Sequence, residues 1–271
     1  MLKADLKSKT IAPANGEDVE FVALLAKCRD VGAELDLAHC VYGHAHSGAG
    51  SFSSDVEPYY AFLAGFVRLL ALTHVAELGT HYGGSIQGLL AGLEPESDRA
   101  AHFATVDVTR LNREQLETHA ALTLVQGDSL AANVVMQMCE PFDRHIDLLY
   151  VDTIHSYAQT LENTAVYANR LKPRFILFDD IHLNPEMERF WSFVKTSGAG
   201  ATYDVTDIAN RGAAGFGLLV CRYPFTWPES SARVRKLKRF GFAVRLRASS
   251  VLSYEQKARL RNLVGQATRD L

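Results

Sequence analysis

The sequence predicts an α/β protein built on a doubly wound sheet of seven strands that ends in an antiparallel hairpin. Three observations predict it. Five short apolar runs alternate with amphipathic stretches of helical length, the pattern of parallel βαβ units covered on both sheet faces. The first run exits through a glycine-rich turn, VAELGTHYGGS, placed between strand and helix. The last two runs, ATYDVTDI and GFGLLVCR, are joined by the turn ANRGAA with no room for a helix, so they pair antiparallel. Together these describe a Rossmann-like sheet.

The elements follow in order. Residues 17–38 read as a helix with an apolar face at Val19, Phe21, Val22, Leu24 and Leu25, punctuated by Gly32. Residues 39–55 are rich in Gly, Ser and His and read as an ordered loop or a lid. Pro58 opens a buried helix, since a missing N–H costs nothing in the first turn. Then come the strand–helix pairs: HVAELGT with SIQGLLAGL, HFATVDV with LNREQLETHAA, LTLVQGD with SLAANVVMQMC, IDLLYVDTI with a helix through Leu171, and RFILFDDIH with PEMERFWSFVKTS. Ser156 and Gln159 fit a capping box at the start of the fourth helix, and Pro173 lies beyond its end. The chain divides into an N-terminal helix and lid segment (1–57), a central domain (58–224) and a C-terminal extension (225–271).

Composition narrows the function. A formal net charge of -3 gives no general attraction to nucleic acid or to an anionic membrane. No run has signal-peptide character, and Arg68 interrupts the most apolar stretch, Tyr59–Leu72. Cys28, Cys40, Cys139 and Cys221 show no close pairing. The expectation is a soluble, cytoplasmic protein with reduced thiols. Residues 233–247 hold seven basic side chains and no acid; a solvated helix face or an oligomer contact fits them better than a phosphate-binding patch.

The chemistry gathers at the strand ends. Glu77 ends the first strand, and Gly79, Gly83 and Gly84 make a turn whose backbone can approach a ligand at a helix N-terminus. The spacing is not G-x-G-x-x-G, which disfavours a dinucleotide. Asp107 ends the second strand, where a carboxylate accepts hydrogen bonds from both ribose hydroxyls. Asp128 and Ser129 end the third; they read an adenine edge or cap the next helix. Asp152 ends the fourth strand with His155 three residues on, and Asp179 and Asp180 end the fifth. Three converging carboxylates call for a cation, and hard oxygen donors suit Mg²⁺, Mn²⁺ or Ca²⁺. His155 is placed to act as a base. Helix capping is the alternative for Asp152 and Asp180.

ELGTHYGGS, the acid of TVD, QGDS, D-x-x-H-S-Y and LKP before FDD together resemble the class I S-adenosylmethionine-dependent methyltransferases. The likeness spans about residues 58–221. It is nearest to the metal-dependent O-methyltransferases of natural-product sugars, the macrocin and mycinamicin type, with the cephalosporin hydroxylase-like group, and more distantly to the catechol O-methyltransferases. The resemblance implies that Glu77, Gly79, Thr80, Gly83 and Ser85 hold the methionine part of the cofactor and Asp107 its ribose. It implies that Asp152, Asp179 and Asp180 hold Mg²⁺ and that His155 is the base. Catechol enzymes carry a lysine where His155 stands, and an acid–amide pair in place of Asp179 and Asp180. Arg174 and Phe175 replace the usual glycine pair after LKP.

The activity expected from this is magnesium-dependent methylation of a hydroxyl on a small sugar-like or natural-product molecule. A metal-free methyltransferase using His155 alone and a non-catalytic partner of the same fold are the alternatives. His39, Cys40, His44 and His46 lack a second spaced pair for zinc; a lid that includes His44, His46 and Phe52 suits them better. Tyr59, Tyr60 and Phe62 read as core or pocket wall, and Phe190 and Trp191 as helix packing or substrate lining.

Overall fold

The computed structural model describes residues 19–38, 40, 57–94, 100–109 and 116–229. His39, His44, His46, Phe52, the basic stretch 233–247 and the first five residues of the segment LNREQLETHAA lie outside them. The chain divides into two compact units, Met1–Trp227 and Pro228–Leu271, and every element named here lies in the first. No helix among the described residues is long and apolar enough to cross a membrane.

The elements are α1 (Val19–Ala33), α2 (Tyr59–Leu70), β1 (His74–Leu78), α3 (Gly84–Ala91), β2 (His102–Asp107), β3 (Leu122–Gln126), α4 (Ala132–Cys139), β4 (Leu148–Val151), α5 (Tyr157–Leu171), β5 (Phe175–Asp179), α6 (Pro185–Thr196), β6 (Gly200–Asp204), α7 (Thr206–Ala209) and β7 (Phe216–Cys221). The strands form one seven-stranded sheet in the order β3-β2-β1-β4-β5-β7-β6. β1 to β5 are parallel, while β7 runs antiparallel between β5 and β6. The terminal hairpin is present, with one correction: the helical turn α7 and a 3-10 turn at Gly212–Ala214 fit between its strands. Asn210 in left-handed geometry ends α7 after a single turn, which is how a helix fits into so short a connection.

Both faces of the sheet are buried, and the two-residue period of a strand sorts the side chains. Val75, Phe103, Leu148, Tyr150, Phe175 and Leu177 face the core formed with α1, α2 and α3. Ala76, Leu78, Ala104, Val106, Leu149, Val151, Ile176 and Phe178 face α4, α5 and α6. Helix α1 buries Phe21, Leu25, Cys28 and Gly32, a narrower stripe than the sequence suggests, and leaves Val19 exposed. Gly32 does not break α1. It is the point where α1 meets α2: a Cβ there would sit 1.7 Å from the Ala61 carbonyl oxygen, and one on Gly65 would sit 1.7 Å from that of Cys28. Phe190 and Trp191 are core residues, their rings packed on Phe178.

Candidate active site

The first half of the site is the turn after β1. Gly79 adopts φ +103 and its backbone crosses the exit of β4 so closely that a Cβ would sit 1.6 Å from the Asp152 carbonyl oxygen. The Gly79 and Thr80 amides both donate to the Val106 carbonyl, so β2 also pins the turn. Gly83 takes φ +84 just before α3. Beneath the turn, Glu77 is fully buried. Ser85 Oγ donates to its Oε1 at 2.6 Å and Thr105 Oγ1 to its Oε2 at 2.5 Å. The Thr105 hydroxyl also pairs with that of Thr80 at 2.6 Å. Burial pushes the Glu77 carboxyl up to about 8, against the two hydroxyl hydrogen bonds that favour its ionised form. Glu77 and Ser85 thus brace the turn from below, with both Glu77 oxygens engaged inside the protein.

Asp107 stands half-buried at the end of β2. Its Oδ1 accepts from the Thr109 amide (2.8 Å) and hydroxyl (2.9 Å), and its Oδ2 from the His81 amide at 2.8 Å. The carboxylate is therefore fixed in direction beside the glycine turn. Asp128 Oδ1 accepts from the Leu130 amide at 2.9 Å in the turn before α4, whose N-cap position is Ala131 with no side-chain cap, so Asp128 does not cap that helix. The Ser129 hydroxyl does not cap α4; it donates to Asn163 Oδ1 at 2.8 Å and ties the end of β3 to α5. Asn163 in turn donates to the Thr153 hydroxyl at 3.2 Å, beside Asp152.

The second half lies at the ends of β4 and β5. Val151 pairs with Phe178, so Asp152 and Asp179 follow one step beyond on neighbouring strands and share the face of Tyr150 and Leu177. His155 stands on the loop before α5, which Ser156 caps by accepting from the Gln159 amide. Asn184, the cap of α6, donates to the His155 carbonyl at 3.0 Å and joins the two loops. The imidazole lies between two carboxylates: Nε2 is 3.3 Å from Asp152 Oδ1, and Nδ1 is 3.3 Å from Asp180 Oδ2. Asp180 holds a left-handed φ of 58, which aims its carboxyl back at the histidine.

The sequence reading missed Arg211. It lies between α7 and the 3-10 turn, at the same sheet edge. Its Nε and Nη2 form a fork on Asp179 (2.7 and 2.9 Å), and Nη2 also reaches Asp180 Oδ1 at 3.0 Å. The guanidinium lies 4.6 Å from the centroid of the Tyr59 ring. Tyr59, Tyr60 and Phe62 are all core; Tyr59 also meets Arg211, and the Tyr60 hydroxyl lies against Gly84 of the glycine turn.

The charges at this edge are out of balance. Burial and the neighbouring Asp179 raise the Asp152 carboxyl well above its usual range, although His155 opposes the shift. Burial and Asp179 likewise raise Asp180, against His155 and Arg211. For His155, burial lowers the pKa, but the hydrogen bond to Asp152 and the surrounding carboxylates outweigh it and raise the imidazole. Asp152, His155 and Asp179 each bring one ligand atom within 4.8 Å of the others. Asp152, Asp179 and Asp180 share this edge with one guanidinium, which faces Asp179 and Asp180; with all three acids ionised and His155 neutral, two negative charges are in excess. The Tyr150 hydroxyl, buried and pressed by Asp179 and Asp152, has no hydrogen-bond partner among the described residues. A divalent cation fits that charge, that donor set and that orphaned hydroxyl.

Residues 76–181 match the family model of a methyltransferase domain. A search of curated proteins finds no match. Among solved structures, the chain is similar to the O-methyltransferase from Bacillus cereus, determined in complex with SAH: TM-score 0.51, 16% identity, 79% of this chain and 94% of that one. It is similar also to the O-methyltransferase TomG from Streptomyces achromogenes, involved in tomaymycin synthesis and determined in complex with SAM: TM-score 0.50, 18% identity, 76% of this chain and 96% of that one. Residues 76–181 thus match a methyltransferase domain, and the seven-stranded fold around them is similar to that of these two O-methyltransferases.

Proposed function

We propose that the protein is an S-adenosylmethionine-dependent O-methyltransferase of small hydroxylated molecules, with His155 as its general base. The observation that carries this is the placement of the His155 imidazole between Asp152 and Asp180, on a loop whose strand end touches the Gly79 turn. In the reaction the acceptor oxygen attacks the sulfonium methyl carbon. A C–O bond forms, the C–S bond breaks, and S-adenosylhomocysteine leaves. The hydroxyl proton passes to His155 Nε2, which exchanges Asp152 for the acceptor, while Asp180 keeps Nδ1 in place. Gly79, Thr80 and Gly83 would offer backbone to the methionine part of the cofactor, with Glu77 and Ser85 bracing them, and Asp107 would take the ribose hydroxyls. Asp128 and Ser129 line the adenine end. Holding methyl and oxygen in line supplies much of the rate.

Asp152, Asp179 and Asp180 would hold a divalent cation, magnesium by the hardness of their oxygens, and it would lower the pKa of the acceptor hydroxyl. A sugar or another vicinal diol, of the kind found in natural products, suits two oxygens presented side by side. One observation favours the metal-free alternative: Arg211 already engages both oxygens of Asp179. The catalytic domain is taken as residues 58–224. A cytoplasmic setting belongs to the same proposal and is supported by four free cysteines.

The test is calorimetry followed by turnover. S-adenosylmethionine should bind, and Asp107→Ala should weaken it at least about tenfold through two lost hydrogen bonds. Isotope-labelled cofactor offered with vicinal diols and sugars should yield a methylated product that His155→Ala and Asp152→Ala abolish. Absence of cofactor binding removes the reading. Activity that survives EDTA selects the metal-free form.

A further inference from the structure

Arg211 is an unusual neighbour for a cation site. Asp179 is 2% exposed, and its two oxygens are the two acceptors of the Arg211 fork. The same guanidinium reaches Asp180, whose second oxygen faces His155. In this arrangement four of the six carboxylate oxygens at the strand ends face Arg211 or His155 through Asp179 and Asp180, and Asp152 gives a fifth to His155. A bidentate fork on a buried carboxylate is among the stronger charge-assisted contacts a protein makes. A divalent ion that ligates Asp179 must approach the guanidinium closely in a site with little water, where like charges repel strongly. The arginine comes from the hairpin connection, 32 positions along the chain from Asp179, and belongs to neither β4 nor β5. Gly212, directly after it, has open space around it.

We infer that Arg211 is the resident counter-ion of the acidic centre and competes with a divalent cation for Asp179. This rests on the cation-dependent form of the function proposed above. Arg211 sets how tightly the centre holds a metal, and metal loading requires the fork on Asp179 to open. Tyr150, whose hydroxyl has no partner among the described residues, stands on the sheet face that Asp152 and Asp179 share.

Mn²⁺ is the probe, titrated into the full-length protein and read by electron paramagnetic resonance. Arg211→Gln should bind Mn²⁺ at least about tenfold more tightly than the wild type, a factor worth about 1.4 kcal/mol. Arg211→Lys should fall between them, and adding Asp179→Asn to Arg211→Gln should erase the gain. Equal or weaker binding by Arg211→Gln overturns the inference, as does absence of Mn²⁺ binding in both proteins. A second measurement needs no variant: in the wild type, saturating Mg²⁺ should shift the Arg211 Nε–H resonance and speed its exchange with water. An unchanged resonance with Mg²⁺ bound overturns the inference. Calorimetry with S-adenosylmethionine on the same samples separates the two claims. A protein that shows the Mn²⁺ pattern and binds no cofactor keeps this inference and loses the methyltransferase reading.

Discussion

Glu77 is a carboxyl group without access to water, so its ionisation is tied to the fold. Burial raises it to about 8, so the folded chain binds this proton more tightly than the unfolded chain does. The contribution to stability is fully present below the ordinary carboxylate pKa and is lost as pH rises through about 8. Replacing Glu77 by Gln keeps the shape and removes the titration. The melting temperature of Glu77→Gln should therefore fall less than that of the wild type between pH 6 and pH 9, as followed by circular dichroism. Parallel curves would show that the proton is not held as described. Single residues also mark the limit of what the sequence discloses. Asp152 and His155 are legible because they stand three apart after one strand. Arg211 is not, because it is 32 positions from Asp179 and an arginine beside glycine in a turn reads as a solvated group. The excess of acids at the ends of the fourth and fifth strands is the available signal, and a metal or helix capping accounts for it in the sequence without an arginine.

At the scale of elements, one glycine pair decides how the N-terminal helix joins the sheet layer. The hydrophobic pattern of α1 announced a helix, yet its buried face runs through Phe21, Leu25, Cys28 and Gly32 rather than through Val19, Val22 and Leu24. The reason is close approach: only hydrogen at Gly32 and Gly65 lets the α1 and α2 backbones meet. Gly65→Ala places a methyl carbon against the Cys28 carbonyl and must push the helices apart. A loss of about 3 kcal/mol, at the upper end of overpacking costs, is expected in urea unfolding. A loss below about 0.5 kcal/mol would mean the helices can separate freely. The cap of α5 is a milder case. Ser156→Ala removes a side-chain acceptor from the Gln159 amide and should cost about 1 kcal/mol, with an added effect on turnover because His155 is the residue just before it.

Across the whole molecule, the parallel core was legible because four of its five strands, buried on both faces, leave apolar runs that no surface element would carry. The site was legible as a consequence: in a parallel sheet all strand ends share one edge, so acids ending different strands must meet there. The hairpin was legible as a pairing, while α7 was not, since a one-turn helix leaves no periodicity to read. What periodicity also failed to disclose is that α1 completes the main core. Phe21 lies against Phe175 of β5 and Tyr203 of β6, with ring centroids 6.4 and 5.1 Å apart, and Leu25 is fully buried. Each such side chain is worth about 1.5–3 kcal/mol of burial, against a net stability of about 5–15 kcal/mol for a domain. Removing residues 1–38 takes away both, and it uncovers the Ala61–Gly65 face of α2 as well. The truncated chain is therefore expected to lose its cooperative melting transition and its near-ultraviolet circular dichroism while keeping much of its secondary structure. If it instead unfolds cooperatively within a few degrees of the full chain, α1 is an appendage and the core is complete without it.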